Sequence, residues 1–488
     1  MKLNDLLKQL TYEVVQGDIT IEIKHLCWDS RRIAPNSIFI AVENKNVDRH
    51  DFILEAINKG SKAIVLQHEV PNIPEDITVV KVKNSRKVMA ILANRFYGEP
   101  SKHLKLVGIT GTNGKTSTTF FMEGIIEYLG KRTGIIGTIK NAVGPSKLNT
   151  IKFNPTTPDS MELQSSFTEM ISQKVEYAIM EVTSIALAKD RVEGCDFDIG
   201  IFTNLSEDHL DEHGTMEAYK KAKMKLFNMC KKGIVNRDDP VGEEIRLNSN
   251  CQVTTFGIYH NADFMAKNIT YSSDGVIYTL IHKGIEKEVR LNISGEFSVY
   301  NSLAAISGCY LLGFELDDII RGIDNVYYIP GRFELIPNRK GILTIVDYAH
   351  SPDGLKNILI SARKISSKGR LIVVFGCGGN RDKNKRPIMG KIASRYADYS
   401  IITTDNPRDE EPLSIIGDIE KGFIDNRSCY EIISDRKEAI YKALNMANEG
   451  DAVVIAGKGH ENYQLIKGLS VYFNDAQIVE DYFIRETI

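Results

Sequence analysis

The sequence predicts an α/β protein of several domains, built on parallel sheets. With 488 residues the chain is too long for one hydrophobic core, so about two to four domains are expected. Short, continuous apolar runs alternate with helical patterns, and such runs are typical of parallel strands that helices cover on both faces. The runs lie at residues 105–110, 177–182, 198–203, 344–348, 371–376, 399–404 and 451–457. Almost every run ends in Gly, Asp, Asn, His or Thr, at the edge where open α/β sheets bind their ligands.

Composition narrows the classes of function. The chain has 61 Lys+Arg against 64 Asp+Glu, a net charge of −3, without long blocks of either sign. This balance argues against a protein that wraps nucleic acid or binds membranes through basic residues. No apolar run approaches the roughly 20 residues that cross a bilayer, and the N-terminus lacks the apolar stretch of a signal peptide. We therefore expect a cytoplasmic monomer with small-molecule partners and no contact with nucleic acid or membrane.

Two breaks in the chain predict three domains. A helical stretch stops at Gly98-Glu99-Pro100-Ser101, before the first strongly apolar run. A second Pro-Gly pair lies in Tyr328-Ile329-Pro330-Gly331, before another series of runs. The predicted domains are residues 1–100, 101–329 and 330–488.

A glycine-rich segment between an apolar run and a helical pattern predicts a nucleotide site. Residues 108–116 read GITGTNGKT. They resemble a P-loop, in which backbone amides and a helix N-terminus hold phosphates, a lysine bridges their charge and a threonine binds magnesium. The strict GxxxxGK[ST] spacing fails by one residue, and the alternative is an ordinary glycine turn. The predicted ATP-binding residues are Gly111, Thr112, Asn113, Gly114, Lys115, Thr116 and Ser117.

A lysine on an apolar helix face is the second signal. Residues 203–214, TNLSEDHLDEHG, precede a helical pattern over 215–227 in which Lys223 shares one face with Met216, Tyr219, Leu226 and Phe227. A buried ammonium is costly, so such a lysine snorkels to solvent, pairs with an acid, or loses its proton and becomes reactive. A neutral amine reacts with carbon dioxide to give a carbamate, whose oxygens ligate magnesium. Periodicity alone favours snorkelling.

Glu181 stands at the end of the apolar run 177–182. A carboxylate at a strand C-terminus close to a P-loop is suited to holding Mg²⁺ on ATP. A helix-capping acid is the alternative.

Four polar loops follow apolar runs in the last third of the chain. They are DYAHSPD at 347–353, GCGGNRD at 376–382, DNPR at 405–408 and GKGHE at 457–461. Because each follows its own predicted strand, the four loops converge on one sheet edge and predict a small-molecule site. The alternative for any single loop is a glycine-rich turn with solvated charges.

These motifs resemble the Mur ligase family, in order and over nearly the whole chain, from Asp29-Ser30-Arg31 to Asn474-Asp475. TGTNGKT, the segment from Asp208 to Phe227 and the four C-terminal loops carry the resemblance. It implies a three-domain α/β fold with a P-loop-type central parallel sheet and a Rossmann-like C-terminal domain. The first domain would bind the uridine nucleotide, the second ATP and the third an amino acid.

The resemblance also implies residue roles. Lys115, Glu181, His209 and Lys223 would be catalytic. Lys223 would be carbamoylated, and two Mg²⁺ ions would be held by Thr116, Glu181, His209 and the carbamate. Asn301, Arg332 and Asp347 would lie along the ATP site. The UDP-MurNAc dipeptide would be bound by Ser30, Thr156, Thr157, Thr183, Lys189 and Arg191. The family usually has Ser and His where this chain has Thr183 and Ile185, which leaves the detailed substrate contacts open.

The implied reaction is the ATP-dependent addition of meso-diaminopimelate to the γ-carboxylate of D-Glu in UDP-MurNAc-L-Ala-D-Glu, through an acyl phosphate. L-Lysine is the alternative amino acid, and it lacks one carboxylate at its far end. Discrimination needs a cation there, and Arg408 offers a planar fork that matches a carboxylate; the alternative is a surface arginine beside three acids. The predicted amino-acid site comprises Arg381, Asp405, Asn406, Pro407, Arg408, Gly457 and Glu461. A folylpolyglutamate synthetase and a nucleotide-binding homologue without activity are the rival functions.

Overall fold

A computed structural model describes residues 1–44, 47–150, 154–366, 368–423 and 429–485. These residues form two compact units. The first holds residues 1–108, 132–200 and 228–231, and the second holds 109–131, 201–227 and the chain from 232 onward. The division falls inside three strands, Lys105–Thr110, Phe197–Phe202 and Cys230–Asn236. It follows close packing rather than chain order, so the division into residues 1–100, 101–329 and 330–488 stays a prediction.

The N-terminal part of the first unit is a five-stranded sheet. Its strands, in spatial order, are Glu13–Gln16, Thr78–Lys81, Ser61–Leu66, Ser37–Ile40 and His25–Cys27. Only the first pair of strands is antiparallel. Successive residues point to opposite faces, so Ile38 packs with helices Leu3–Leu7 and Ser85–Phe96 while Phe39 packs with helix Ile53–Asn58. Both faces of this sheet are therefore buried.

The remainder of the first unit carries a second group of strands. Thr133–Ile136 pairs in parallel with Tyr177–Glu181 and antiparallel with Asn141–Val143, which pairs with Ser146–Lys147. Helix Ser160–Ser172 begins at a capping box, in which the Asp159 side chain accepts backbone N–H groups of the first turn and the Glu162 side chain accepts the Asp159 N–H. The short helix Ser184–Ala188 follows the strand Tyr177–Glu181.

In the second unit, the strand Cys230–Asn236, of which residues 232–236 belong to this unit, is the first of a series of parallel and antiparallel strands. Gln252–Gly257 and Phe264–Ser272 continue it in parallel, and Gly275–His282 and Ile285–Leu291 add an antiparallel meander. Helix Lys115–Tyr128 packs against helices Glu296–Leu311 and Leu316–Asp324. The other helices of this part are Leu210–His213, Met216–Met224 and Pro240–Asn248.

The C-terminal part of the second unit is a six-stranded sheet. Its order is Glu334–Leu335, Leu343–Asp347, Ala452–Ala456, Leu371–Phe375, Tyr399–Ile402 and Cys429–Ile432, and only the first pair of strands is antiparallel. Every residue of Leu371–Phe375 and Ala452–Ala456 is buried. The helices are Pro352–Ile365, Lys385–Tyr396, Pro412–Glu420, Arg436–Met446 and Asp475–Arg485, and a hairpin joins Tyr463–Ile466 to Leu469–Tyr472.

The predicted α/β class with buried parallel strands is confirmed. Each of the seven apolar runs forms a strand, within one or two residues of its predicted ends. In the part of the chain that the structure describes, no helix has both the length and the apolar character needed to cross a membrane.

Candidate active site

The phosphate-loop segment Gly111–Gly114 connects its strand to its helix through two left-handed glycines. Gly111 has φ +156° and Gly114 has φ +87°. A Cβ on Gly111 would lie 1.8 Å from Thr203 Oγ1, and one on Gly114 would lie 2.3 Å from Asn301 Oδ1. The backbone thus passes too close to its neighbours for any side chain, as loops that bring main-chain amides to a phosphate require.

The segment after strand Phe197–Phe202 braces this loop. Thr203 Oγ1 donates to the Asn113 carbonyl at 2.6 Å, and the Asn113 N–H donates to Asn204 Oδ1 at 2.9 Å. The Ser206 N–H donates to Thr112 Oγ1 at 3.0 Å. The loop is therefore held in shape by side chains and backbone groups of the neighbouring segment.

Two positively charged side chains, Lys115 and Arg332, lie at the phosphate loop. Lys115 Nζ donates to the carbonyls of Gly111 at 2.8 Å and Thr112 at 2.9 Å, so the side chain folds back over the loop. Arg332 Nη2 donates to Thr116 Oγ1 at 3.2 Å. An ammonium and a guanidinium thus lie at the loop, as the binding of a polyphosphate requires.

Lys223 lies inside the protein. It is on helix Met216–Met224 and only 1% exposed, so it does not snorkel. Its Nζ is 4.4 Å from the centre of the Tyr219 ring, whose hydroxyl shares a hydrogen bond of 3.1 Å with Thr112 Oγ1. Burial, with the positive charge of Lys115, lowers the pKa of Lys223 well below its ordinary value. A buried amine with this electrostatic environment is one that gives up its proton.

His209 borders the same tyrosine. Its ring meets the Tyr219 ring edge to face, with centroids 6.2 Å apart, and its backbone is left-handed at φ +54°. The imidazole is about half exposed. Partial desolvation lowers the pKa of His209 more than neighbouring Asp208 raises it. The neutral imidazole is the form that binds a metal.

A cavity of about 390 Å³ opens beside the phosphate loop. Six of the predicted ATP residues line it: Asn113, Gly114, Ser117, Asn301, Arg332 and Asp347. Gly111, Thr112, Lys115 and Thr116 belong to the same loop and the first turn of its helix. The cavity has the size and mixed lining of a small-molecule site.

Asp347 acts on the backbone in this structure. Its two carboxylate oxygens accept the N–H groups of Phe333 and Ala349, each at 2.7 Å. Burial raises the pKa of Asp347, against the opposing charge of Arg332. The Arg332 guanidinium lies 4.5 Å above the Tyr348 ring. Asp347 therefore shapes the segment that carries Arg332 and Tyr348 into the cavity wall.

In the first unit, Glu181 is buried at the end of its strand. Its two carboxylate oxygens accept the N–H and the hydroxyl of Thr138, each at 2.9 Å. The cap of the following helix is Thr183, whose hydroxyl accepts the Ala186 N–H. The helix-capping alternative for Glu181 is therefore wrong.

The residues predicted for the muramoyl dipeptide adjoin Glu181 in this unit. Thr157 Oγ1 donates to the Glu181 carbonyl at 2.9 Å and accepts the Thr183 N–H at 3.0 Å. Arg191 Nη1 donates to the Thr157 carbonyl at 3.2 Å, and the hydroxyls of Thr138 and Thr156 lie 3.0 Å apart. These residues form one hydrogen-bonded network. Lys189 ends the helix after Thr183, whereas Ser30 lies next to the five-stranded sheet and donates to Glu55.

The C-terminal loops meet as predicted at one edge of the six-stranded sheet. Asn406 Nδ2 donates to Glu461 Oε2 at 2.9 Å, and Lys458 Nζ donates to the same oxygen at 3.0 Å. Among the residues that the structure describes, the buried Asp405 Oδ2 has no hydrogen-bond partner, and a Cβ on Gly457 would lie 2.6 Å from it. Pro407 joins Asn406 to Arg408. Asp405, Asn406, Gly457 and Glu461 thus lie together at this sheet edge, where Asp405 offers a hydrogen-bond acceptor.

Arg408 and Arg381 supply positive charge at this edge. Arg408 has φ +51°, and its Nη1 donates to the Gly379 carbonyl at 2.6 Å. Partial burial and the charge of Arg381 lower the pKa of Arg408. Among the described residues no carboxylate forms an ion pair with Arg408. It is therefore not a surface arginine neutralised by the acids that follow it.

Comparison with known proteins assigns the chain to a family. The model of the Mur ligase middle domain matches residues 109–309, that of the Mur ligase family catalytic domain residues 22–97, and that of the Mur ligase glutamate ligase domain residues 331–459. A 2,6-diaminopimelate ligase of Clostridium perfringens acting on UDP-N-acetylmuramoyl-L-alanyl-D-glutamate is 46% identical over 99% of both chains. A relative of the same description from Clostridium acetobutylicum is 44% identical over 99% of both chains. The chain belongs to the Mur ligase family.

Solved structures agree with this assignment. A structure of a UDP-N-acetylmuramoyl-L-alanyl-D-glutamate–2,6-diaminopimelate ligase is 30% identical to this Mur ligase, with a TM-score of 0.72, covering 100% of this chain and 99% of its own. A folylpolyglutamate synthase of Mycobacterium tuberculosis is 16% identical over 75% of this chain and 91% of its own, with a TM-score of 0.61. The second similarity extends to the fold alone. The predicted family, fold class and enzyme class, an ATP-dependent ligase that forms amide bonds, are confirmed.

Some cavity residues of this Mur ligase were not among the predicted sites. Asn236, Asp238, Tyr300 and Asp353 line the cavity. Asn113 Nδ2 donates to Asp353 Oδ2 at 3.2 Å, and the Tyr300 hydroxyl donates to Asp238 Oδ2 at 2.9 Å. Asn236 ends the strand Cys230–Asn236 and Asp238 follows it, so the rule that located the other loops applies to them as well. Tyr300 lies inside a helix and has no such signal.

Proposed function

We propose that this Mur ligase joins meso-diaminopimelate to the γ-carboxylate of D-Glu in UDP-MurNAc-L-Ala-D-Glu, at the expense of ATP and in the cytoplasm. The observation that carries the proposal is the braced phosphate loop at the edge of a cavity that Asn301, Arg332 and Asp347 also line. The relatives at 42–46% identity, which bear the name of this reaction, support the choice of substrates.

The ATP part of the reaction falls to the second unit. Lys115 and Arg332 lie where a polyphosphate on the loop would need counter-charge, and the loop amides supply hydrogen bonds. The γ-phosphoryl group passes to the D-Glu carboxylate, giving an acyl phosphate and ADP. The amine then attacks the acyl carbon, and phosphate leaves. The protein contributes orientation and charge stabilisation to both steps.

The donor chemistry of this chain fits two magnesium ions and a carbamate. Glu181 is a carboxylate, Thr116 a hydroxyl and His209 an imidazole of lowered pKa. Lys223 is a buried amine that readily loses its proton, as carbamate formation requires. We assign Thr116, Glu181, His209 and carbamoylated Lys223 as the side chains that hold the two Mg²⁺. Magnesium on ATP neutralises charge that develops during phosphoryl transfer.

The remaining roles follow the same division. Thr156, Thr157, Thr183, Lys189, Arg191 and Ser30 would bind the uridine-linked dipeptide. Arg408 and Arg381 would bind the far carboxylate of diaminopimelate, and Glu461, Asp405 and the Gly457 carbonyl would receive its far ammonium. Asn406 and Pro407 would position Arg408 at this sheet edge. The three domains, residues 1–100, 101–329 and 330–488, would then bind nucleotide sugar, ATP and amino acid respectively.

One assay tests the proposal. Purified protein is incubated with ATP, Mg²⁺, UDP-MurNAc-L-Ala-D-Glu and either meso-diaminopimelate or L-lysine, while phosphate release and product mass are followed. We expect phosphate release that depends on diaminopimelate, and a tripeptide product. Faster turnover with lysine would overturn the amino-acid assignment alone. Phosphate release that does not depend on either amino acid would overturn the ligase assignment. So would the absence of any phosphate release from folded protein.

A further inference from the structure

Three acids follow Arg408 in the chain, and each has a partner elsewhere. Asn380 Nδ2 donates to Asp409 Oδ2 at 3.2 Å, and Lys467 pairs with Glu411 at 3.0 Å. Glu410 forms two parallel bonds with Arg386, from Nη1 to Oε2 at 3.0 Å and from Nη2 to Oε1 at 2.9 Å. The run of acids is thereby turned away from Arg408.

Arg386 is the most buried member of this arrangement. It is 0% exposed and also donates to Asp418 at 3.1 Å and to the Gly378 carbonyl at 3.4 Å. It thus joins the loop that carries Arg381 to the loop that carries Arg408. A bidentate pair between a buried guanidinium and a carboxylate fixes the position and the orientation of both groups.

Glu410 is the acid whose release would matter most. It is two residues from Arg408 in the chain, and its Oε1 also accepts the Asn380 N–H at 2.6 Å, beside the carbonyl of Gly379 that Arg408 contacts. The hydrogen bonds from Arg386 hold the pKa of Glu410 to about 2, so this carboxylate is ionised at neutral pH. Without Arg386, Glu410 would keep the Asn380 N–H and the exposed Lys383, 3.4 Å away, as partners, but its charge would lose the buried guanidinium that fixes it, next to the arginine that the substrate carboxylate needs.

We propose that Arg386 is a positioning residue for amino-acid specificity, which holds Glu410 away from Arg408 and so keeps that guanidinium available for a carboxylate of the substrate. This inference rests on the proposed function, because it concerns the choice between diaminopimelate and lysine. A freed Glu410 would repel the far carboxylate of diaminopimelate and attract the far ammonium of lysine. The signature of the proposal is therefore opposite effects on two substrates.

The test compares wild type, Arg386→Met, Arg386→Lys and the double variant Arg386→Met/Glu410→Gln. For Arg386→Met we expect KM for diaminopimelate to rise at least tenfold, KM for lysine to stay or fall, and KM for ATP to stay within about threefold. The double variant removes the freed charge and should recover most of the wild-type preference. Arg395→Met is the matched control, an exposed arginine on the same helix, and should match wild type.

Each outcome bears on the proposal. An unchanged ratio of kcat/KM for the two amino acids in Arg386→Met, a parallel rise of KM for both of them and ATP, or no recovery in the double variant would overturn it. If Arg386→Met does not fold, Arg386→Lys decides the question. One ammonium cannot form the bidentate pair with Glu410, so the preference for diaminopimelate over lysine should fall only partway. A wild type with no amino-acid-dependent product would instead contradict the proposed function.

Discussion

The amine of Lys223 lies 4.4 Å from the centre of the Tyr219 ring, and the hydroxyl of that ring shares a hydrogen bond with Thr112 of the phosphate loop. One aromatic side chain therefore connects the reactive amine to the segment that would hold ATP. Because this amine is buried away from solvent and near the positive charge of Lys115, its proton is easily lost.

We expect Lys223 to carry a carbamate in active protein. Native mass spectrometry under carbon dioxide should show the added mass of one CO₂, which Lys223→Ala should lack. That variant should lose most activity and regain part of it with short carboxylates, which replace the missing oxygens. Lys221→Ala, an exposed lysine on the same helix, is the control and should behave as wild type. An unmodified amine in fully active protein would contradict this prediction.

Lys115→Ala should abolish turnover and leave binding of the uridine substrate nearly unchanged. The lysine lies on the phosphate loop, whereas the residues proposed for the nucleotide sugar belong to the first unit. Calorimetric titration with each substrate separates the two affinities. Lys105→Ala changes an exposed lysine on the preceding strand and should affect neither. A joint loss of both affinities in the Lys115 variant would show that the division of roles is wrong.

Arg408→Ala should remove most of the preference for diaminopimelate over lysine. A charge-assisted hydrogen bond is worth about 1.5–3 kcal/mol, or roughly 10- to 150-fold in specificity. Arg408→Lys keeps the charge without the planar fork, so its preference should be intermediate. Competition between the two amino acids, read as the ratio of products, measures this. Equal ratios in wild type and Arg408→Ala would exclude Arg408 as the discriminating group.

The Arg386–Glu410 pair should make stability depend on acid pH. The pKa of Glu410 is about 2 in the folded protein against an ordinary 4.5, so the native state favours the ionised form. Its contribution is fully present above about pH 4.5 and is lost as the pH falls towards 2. Urea unfolding of wild type and Glu410→Gln should therefore give free energies that differ at pH 7 and converge as the pH approaches 2. A difference that does not shrink would show that the contribution is not electrostatic.

Local patterns in the sequence were enough for the strands, for the glycine-rich loop between a strand and a helix, and for the apolar helix face on which Lys223 lies. A few consecutive residues are enough to indicate a strand that is apolar on both faces or a helix with one apolar face. Both patterns follow from the geometry of the local backbone. Leu371–Phe375 is buried for that reason, whereas periodicity alone favoured snorkelling for Lys223, and only the packed structure shows that it is buried. The motifs at strand ends also met at one sheet edge, because parallel strands bring their carboxyl ends together.

Only the tertiary structure shows which charged side chains form buried ion pairs with each other. The partners of Arg386 lie 24 and 32 residues away in the chain, and nothing in its local sequence separates them from other acids. Asp347 lines the cavity beside the phosphate loop, and only the tertiary structure shows that its oxygens accept two backbone amides. Periodicity states that a side chain is buried, but the partner of a buried charge depends on which distant groups pack beside it, because an unpaired charge there is costly.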